Sequence, residues 1–319
     1  MTRRPGRTTS LPYSSLAVPP VTFDGDVAPG VAPSRVRSGE WVRVRRGAYT
    51  TAAALSEDTY LRERQLVLAR AAAAVRQSRG AVVLSHDAAA TVWGAPLLAL
   101  PAATHVAQGT RRAGNAAHDV VRHRRPAAVL DAMELLGLPV TSLARTVVDC
   151  ACLLGVRAGL VVADAAMASG LDRRASAAIV ASDPGARGIR AARAVLAFAD
   201  DGAESPGESL ARWAILRAGF PPPETQLVVD TRLGTFWLDL GWPEWHLGVE
   251  FDGMGKYGDA PRAVVLAEKR RHDAITEAGW RLIRLTFADV RSPQALAARL
   301  IRALGPQAPS LTPRRDLGS

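Results

Sequence analysis

The chain has 319 residues, 40 basic against 30 acidic side chains, a formal charge of +10 and a pI near 10.7. At roughly 100–200 residues per domain, that length implies two or three domains. With 48% hydrophobic and 22% charged residues, the chain is not wholly disordered. Arg supplies 38 of the basic residues, and the two Lys are Lys256 and Lys269. The Arg bias reads as the base composition of the coding genome, which leaves the two Lys as the more informative cations.

No run of about 18 apolar residues is seen, so a bilayer span is not expected. The basic start MTRRPGRTTSLPYSS has no apolar core followed by a cleavage site, so no secretory signal is expected either. Cys150 and Cys152 stand in an apolar helical run, TVVDCACLLGV, with spacing that matches neither a disulfide framework nor a zinc knuckle. They read as buried, reduced thiols, and the expected compartment is the cytoplasm. Excess positive charge points to a polyanionic partner, with nucleic acid foremost.

In chain order, residues 1–20 are rich in Pro, Ser, Thr and Arg and read as a disordered tail. A short helix is expected over Ser34–Arg37. Residues 38–50 alternate apolar with basic, as a strand or hairpin carrying Arg43, Arg45 and Arg46. Helices follow over 56–77 and 85–96, then β-like pieces at 104–109 and 119–125. His86, beside Asp87 at a helix start, reads as structural. Ala-rich helical runs fill 142–199, and residues 305–319 form a second tail expected to be disordered. The resulting division is 1–20, 21–52, 53–203 (mainly helical), 204–304 and 305–319.

Local charge is uneven. Residues 204–252 hold eight acids against three Arg, whereas residues 1–50 hold eight Arg against three acids. An acidic concentration in a basic chain fits a hard divalent cation. FWLDLGWPEWHLGVEFDG reads as two strands joined at Pro243 and Glu244, which brings Asp239 opposite residues 248–250. Alternation then places Gly248, Glu250 and Asp252 on one face of the second strand. Three carboxylates can converge there, repulsive alone and a ligand set around Mg²⁺ (or Mn²⁺). Glu208 also reads as the last residue of a capping box, Ser205-Pro206-Gly207-Glu208.

From Glu204 to Leu304 the chain resembles the PD-(D/E)XK restriction-endonuclease-like superfamily, and most closely its very-short-patch-repair-like branch. The matching residues are a helix bearing Glu208, a strand ending in Asp239, the VEFDG strand, the following KY, the basic helix AEKRRHDAITEAGW and the strand RLIRLTFADV. The resemblance implies an αβββαβ core, Mg²⁺ held by Asp239 and Glu250, and hydrolysis of DNA phosphodiesters. The superfamily's Lys would stand two residues after Glu250, where this chain has Asp252. Lys256 is the residue expected to supply that charge, with Glu208 or Asp252 assisting.

Residues 22–50 resemble the helix-turn-helix and wing of AbiEi-like antitoxins of abortive-infection systems, and SHDAAATVWGAP with LPVTSLARTVVDCA resembles their middle region. That likeness implies DNA contact by Arg35 and Arg37 on a recognition helix and by Arg43, Arg45 and Arg46 on the wing. The expected class is therefore α/β (α+β): a winged helix, a mostly helical middle and the nuclease-like core. The favoured function is a Mg²⁺-dependent DNA endonuclease. The competing one is a non-enzymatic DNA-binding regulator or antitoxin with an inactive nuclease fold, whose toxin or repair partner is encoded elsewhere.

Overall fold

The computed structural model describes residues 10–109, 117–124, 132–253 and 262–318. Helices and mixed sheets build two compact units. One comprises Ser10–Leu153 and Leu171–Ile189; the other includes Leu154–Gly170 and Arg190–Ser319.

In the first unit, β1 (Thr22–Phe23) precedes α1 (Val31–Arg37), β2 (Trp41–Arg45) and β3 (Ala48–Thr51). The three strands lie in the order β1-β3-β2, with a bulge between Arg43 and Arg45. α2 (Thr59–Arg76) starts where the Asp58 carboxylate accepts the Leu61 N–H at 2.8 Å, an N-cap. A mixed sheet of order β6-β5-β4-β8-β7 then follows. Its strands are β4 (Val83–Leu84), β5 (Thr104–Gln108), β6 (Val120–Arg124), β7 (Ala132–Leu135) and β8 (Leu138–Thr141), with α3 (His86–Trp93) after β4. Leu68, Leu84, Val92, Val106 and Val140 form its core.

That sheet makes the middle region less helical than the sequence pattern implies. Its strands are two to five residues long, too short to display alternation. β7 and β8 turn through Leu136 (φ 55°) and Gly137 (φ 73°), both left-handed, without the Asn-Gly or Asp-Gly pair that usually marks such a hairpin.

α4 (Leu143–Ala168) breaks at Gly155 (φ 79°, ψ −177°), where the two units divide, and α5 (Arg173–Ser182) completes the first unit. Contrary to expectation, α4 is long and apolar enough to cross a membrane, but 67% of its most apolar stretch is buried, as in a core helix. Cys150 is buried and Cys152 only partly so, both as free thiols.

The second unit continues with α6 (Ile189–Phe198), α7 (Pro206–Ala218), β9 (Glu224–Thr231), β10 (Gly234–Trp242), β11 (Leu247–Phe251), α8 (Arg262–Glu277), β12 (Arg281–Leu285), α9 (Phe287–Val290) and α10 (Pro293–Leu304). The sheet order is β12-β11-β10-β9, antiparallel except for the β11–β12 pair. A parallel pair needs a crossover, and α8 supplies it. Leu227, Val229, Leu238 and Ile275 form the core between sheet and helix. α7 is buried on nearly every side.

Both segments expected as disordered tails are instead packed over their described residues. Leu11 is buried and the Tyr13 N–H donates to Gly94 O at 3.0 Å. Leu317 is fully buried, its carbonyl accepting from Trp213 Nε1 at 3.1 Å. A few apolar residues in a Pro-rich stretch suffice to dock it, which average composition conceals.

Candidate functional site

The acidic site is assembled from three elements of the second unit. β10 and β11 pair as Leu240↔Val249, Gly241↔Gly248 and Trp242↔Leu247, a register that carries Asp239 toward Glu250. The Asp239 carboxylate accepts the Phe251 N–H at 2.7 Å. Asp239, Glu250 and Asp252 line one pocket of about 160 Å³ together with Glu268, Arg271 and Arg284.

α7 brings Glu208 near Asp239. Ser205 is its N-cap and Pro206 opens the helix. The Ser205 hydroxyl caps the helix by accepting the Glu208 N–H at 3.2 Å, while the Glu208 carboxylate accepts the Ser205 hydroxyl and the Glu204 N–H, each at 2.8 Å, rather than the Ser205 N–H that a capping box requires. Gly207 explains the close approach of α7 to β11: a Cβ there would stand 2.0 Å from the Phe251 ring. Burial, reinforced by the Asp239 charge, pushes the Glu208 carboxyl up to about 7. Burial likewise pushes Asp239 up to about 6, with the Phe251 N–H and Arg271 opposing and Glu250 and Glu204 adding to the rise.

Two cations that the sequence pattern does not single out face these acids. Arg271 of α8 pairs with Glu250, reaches Glu268 at 3.5 Å and donates to Trp237 O at 3.2 Å. Arg284 of β12 lies beside Glu250 through the register Glu250↔Arg284, 3.7 Å from its Oε2, and also pairs with Glu268. The alignment of VEF with IRL in a parallel pair is the signal that could have found Arg284. Lys256 lies outside the described residues. Lys269 sits on α8 with an exposed side chain.

The donor set suits a hard dication. Four carboxylates (Asp239, Glu250, Asp252 and Glu268) line the pocket with two guanidinium groups, Glu208 lies near Asp239, and burial first, with neighbouring acids adding to it, raises the pKa of Glu208 and Asp239. Asp239 and Glu250 could hold Mg²⁺ or Mn²⁺ from opposite strands. Their oxygens are not gathered into a tight three-ligand cage; among the described residues that closeness is reached by His86, His105 and His123.

The arginines expected to contact DNA occupy the first unit. Arg35 is exposed, pairs with Glu40 at 3.2 Å and lies over the Trp41 ring at 5.0 Å. Arg37, Arg43 and Arg46 are exposed. Arg45 differs from that expectation: the bulge turns it inward, and its side chain, 9% exposed, pairs with Asp119 at 3.0 Å.

No family model matches the chain. It is 39% identical over 127 residues to two curated proteins, "Uncharacterized protein MT2308" and "Uncharacterized protein Rv2248" of Mycobacterium tuberculosis, the match covering 39% of this chain. The chain spans about half, 46%, of the length of those relatives. A solved structure, the RV2827C protein from Mycobacterium tuberculosis, is similar at a TM-score of 0.35 and 16% identity, over 66% of this chain and 84% of that one. That likeness is too slight to carry an argument about fold or function.

Proposed function

We propose that the second unit is a metal-dependent DNA endonuclease of the PD-(D/E)XK, very-short-patch-repair-like kind, and that the winged-helix-like region of the first unit, similar to AbiEi-like antitoxins, targets it to DNA. One observation carries the reading: Asp239, Glu250 and Asp252 line a single pocket with Arg271 and Arg284, and Glu208 stands close enough to Asp239 to feel its charge. A pocket that mixes carboxylates and guanidinium groups can meet both a metal-bound and a bare phosphate oxygen.

In this reading Asp239 and Glu250 hold Mg²⁺ or Mn²⁺, which when bound screens the phosphate charge and lowers the pKa of a coordinated water. Arg271 stays charged at any working pH, so it cannot take up a proton. It can bind the charge that grows on the phosphoryl oxygens in the transition state. That is the task the superfamily gives to the Lys replaced here by Asp252, and Lys256 is a second candidate for it. Glu208 keeps a proton up to about pH 7. A group poised there can give or accept a proton at neutral pH, where general acid–base catalysis is most effective. The exposed Arg35, Arg37, Arg43 and Arg46 can bridge backbone phosphates and set position on the duplex without reading sequence.

The test is Mg²⁺- and Mn²⁺-dependent cleavage of plasmid and oligonucleotide DNA by wild type, Asp239→Asn and Glu250→Gln. Metal-dependent nicking lost in both variants supports the reading; equal cutting by wild type and variants refutes it. A second reading, a DNA-binding regulator whose nuclease fold is inactive, is favoured by the pairing of Glu250 with Arg271 and Arg284, which already balances its charge. That reading expects tight DNA binding with no cleavage in any metal.

A further inference from the structure

We propose that the first unit holds a divalent transition-metal ion of the zinc type between His86, His105 and His123. The sheet itself gathers the three rings. β4 pairs with β5 at Leu84↔Val106, and the Ser85 N–H donates to His105 O at 3.0 Å, so α3 begins with His86 beside His105. β5 runs parallel to β6 with Ala107 opposite His123 and His105 opposite Val121; strand alternation therefore puts His105 and His123 on one face. The start of α3 and the neighbouring strands β5 and β6 thus deliver one imidazole each to one place.

The three rings are close enough for one ion to be shared after small ring rotations. One nitrogen from each ring lies within 4.8 Å of the other two. The His86 and His123 rings stack at 3.8 Å between centroids, and His105 Nδ1 meets His123 Nε2 at 3.0 Å. His86 adopts φ 55°, a left-handed conformation rare in residues other than glycine, to hold its ring there. It is buried while the other two are half-buried, which shields an ion yet leaves a way in.

The surroundings point to a cation independently of the rings. Asp87, 7% exposed, keeps a carboxylate oxygen, Oδ1, with no hydrogen-bond partner, and burial pushes its carboxyl above the ordinary range, with nearby His105 and the backbone N–H groups of Ala88 and Asp87 opposing. His86 Nδ1 meets the Ser85 hydroxyl at 2.9 Å, with Asp149 Oδ2 3.9 Å away and its Oδ1 fixed by Arg145 Nη2 at 2.7 Å. An outer contact of this kind at one nitrogen of an imidazole orients the other nitrogen toward a metal. Three imidazoles suit Zn²⁺ and its first-row neighbours and leave a fourth position open to water. Coordination needs neutral rings with lone pairs inward, so the N–H shared in the His105–His123 contact passes to the outward nitrogen of its ring.

Metal-stripped, untagged full-length protein titrated with Co²⁺, and then with Zn²⁺ in competition, tests the proposal. The expected result is one tetrahedral Co²⁺ per chain, counted from its visible bands and displaced by Zn²⁺, apart from any ion taken up by the carboxylate site. His105→Ala and His123→Asn should each weaken binding beyond the ~10–100-fold that outer-shell changes cost, with unaltered circular dichroism. His123 is on the partly exposed strand β6, so its variant retains the fold even if the His105 one does not. Asp239→Asn/Glu250→Gln should keep the Co²⁺ bands. No tetrahedral Co²⁺ bands in wild type, bands that survive loss of both histidines, or bands abolished by the carboxylate variant would each overturn it.

Discussion

Replacing Glu208 by Gln should remove a pH dependence of stability that the buried acid pair imposes on the metal-free protein. The folded state holds the Glu208 proton up to about pH 7, against 4.5 for an ordinary Glu. Between those values the fold binds a proton that the unfolded chain has released, so stability is greatest near pH 4.5 and falls as pH rises to about 7. At 1.36 kcal/mol per pH unit, the loss is at most about 3 kcal/mol. At ~2–4 °C per kcal/mol for a unit of this size, that is ~6–12 °C in melting temperature. Gln preserves the geometry, its carbonyl accepting from Glu204 and its amide donating to Ser205, but has no proton to exchange. The measurement is the difference in melting temperature between wild type and Glu208→Gln in chelator at pH 5, 6, 7 and 8. That difference should grow in favour of the variant as pH rises. A difference independent of pH, or one that shrinks, would refute the placement of Glu208 in a dry site beside Asp239.

Gly207→Ala should destabilise the second unit by about 1–3 kcal/mol in a denaturant melt, because the added methyl group meets the Phe251 ring and must push α7 from β11. Arg212→Ala should cost about 3–5 kcal/mol, leaving the fully buried Asp164 without the guanidinium that pairs with it at 2.7 Å; an effect under 1 kcal/mol would contradict the burial. Arg43→Ala and Arg46→Ala should each lower the slope of log DNA affinity against log salt by about 1. Arg45→Ala should instead lower melting stability by about 1–3 kcal/mol through loss of the Asp119 pair and leave that slope unchanged.

Local signals reached far into the second unit. Ser205-Pro206-Gly207-Glu208 specifies a helix start, the Trp-Pro-Glu-Trp segment a tight connection, and counting outward from it sets Asp239 near Glu250 before any coordinates exist. Arg271 and Arg284 were not legible in this way, because they enter the pocket from α8 and from a parallel strand whose register is fixed only once the crossover packs. The histidine cluster escaped for a related reason: His86, His105 and His123 are 19 and 18 residues apart, with no metal-motif spacing, and meet only through strand order. Arg45 shows the converse limit, since period-2 alternation put it with its exposed neighbours and a one-residue bulge turned it inward.

The proposed endonuclease activity requires Asp239 and Glu250 as ligands of a divalent cation. Its most direct test is a Mn²⁺ titration of metal-stripped protein, followed by the loss of the free-ion electron paramagnetic resonance signal. At pH 8 both Glu208 and Asp239 are ionised, and His105→Ala/His123→Asn serves as background. Saturable binding is expected in that background, and it should disappear with Asp239→Asn and with Glu250→Gln. Binding that is absent there, or that both carboxylate variants retain, would contradict it.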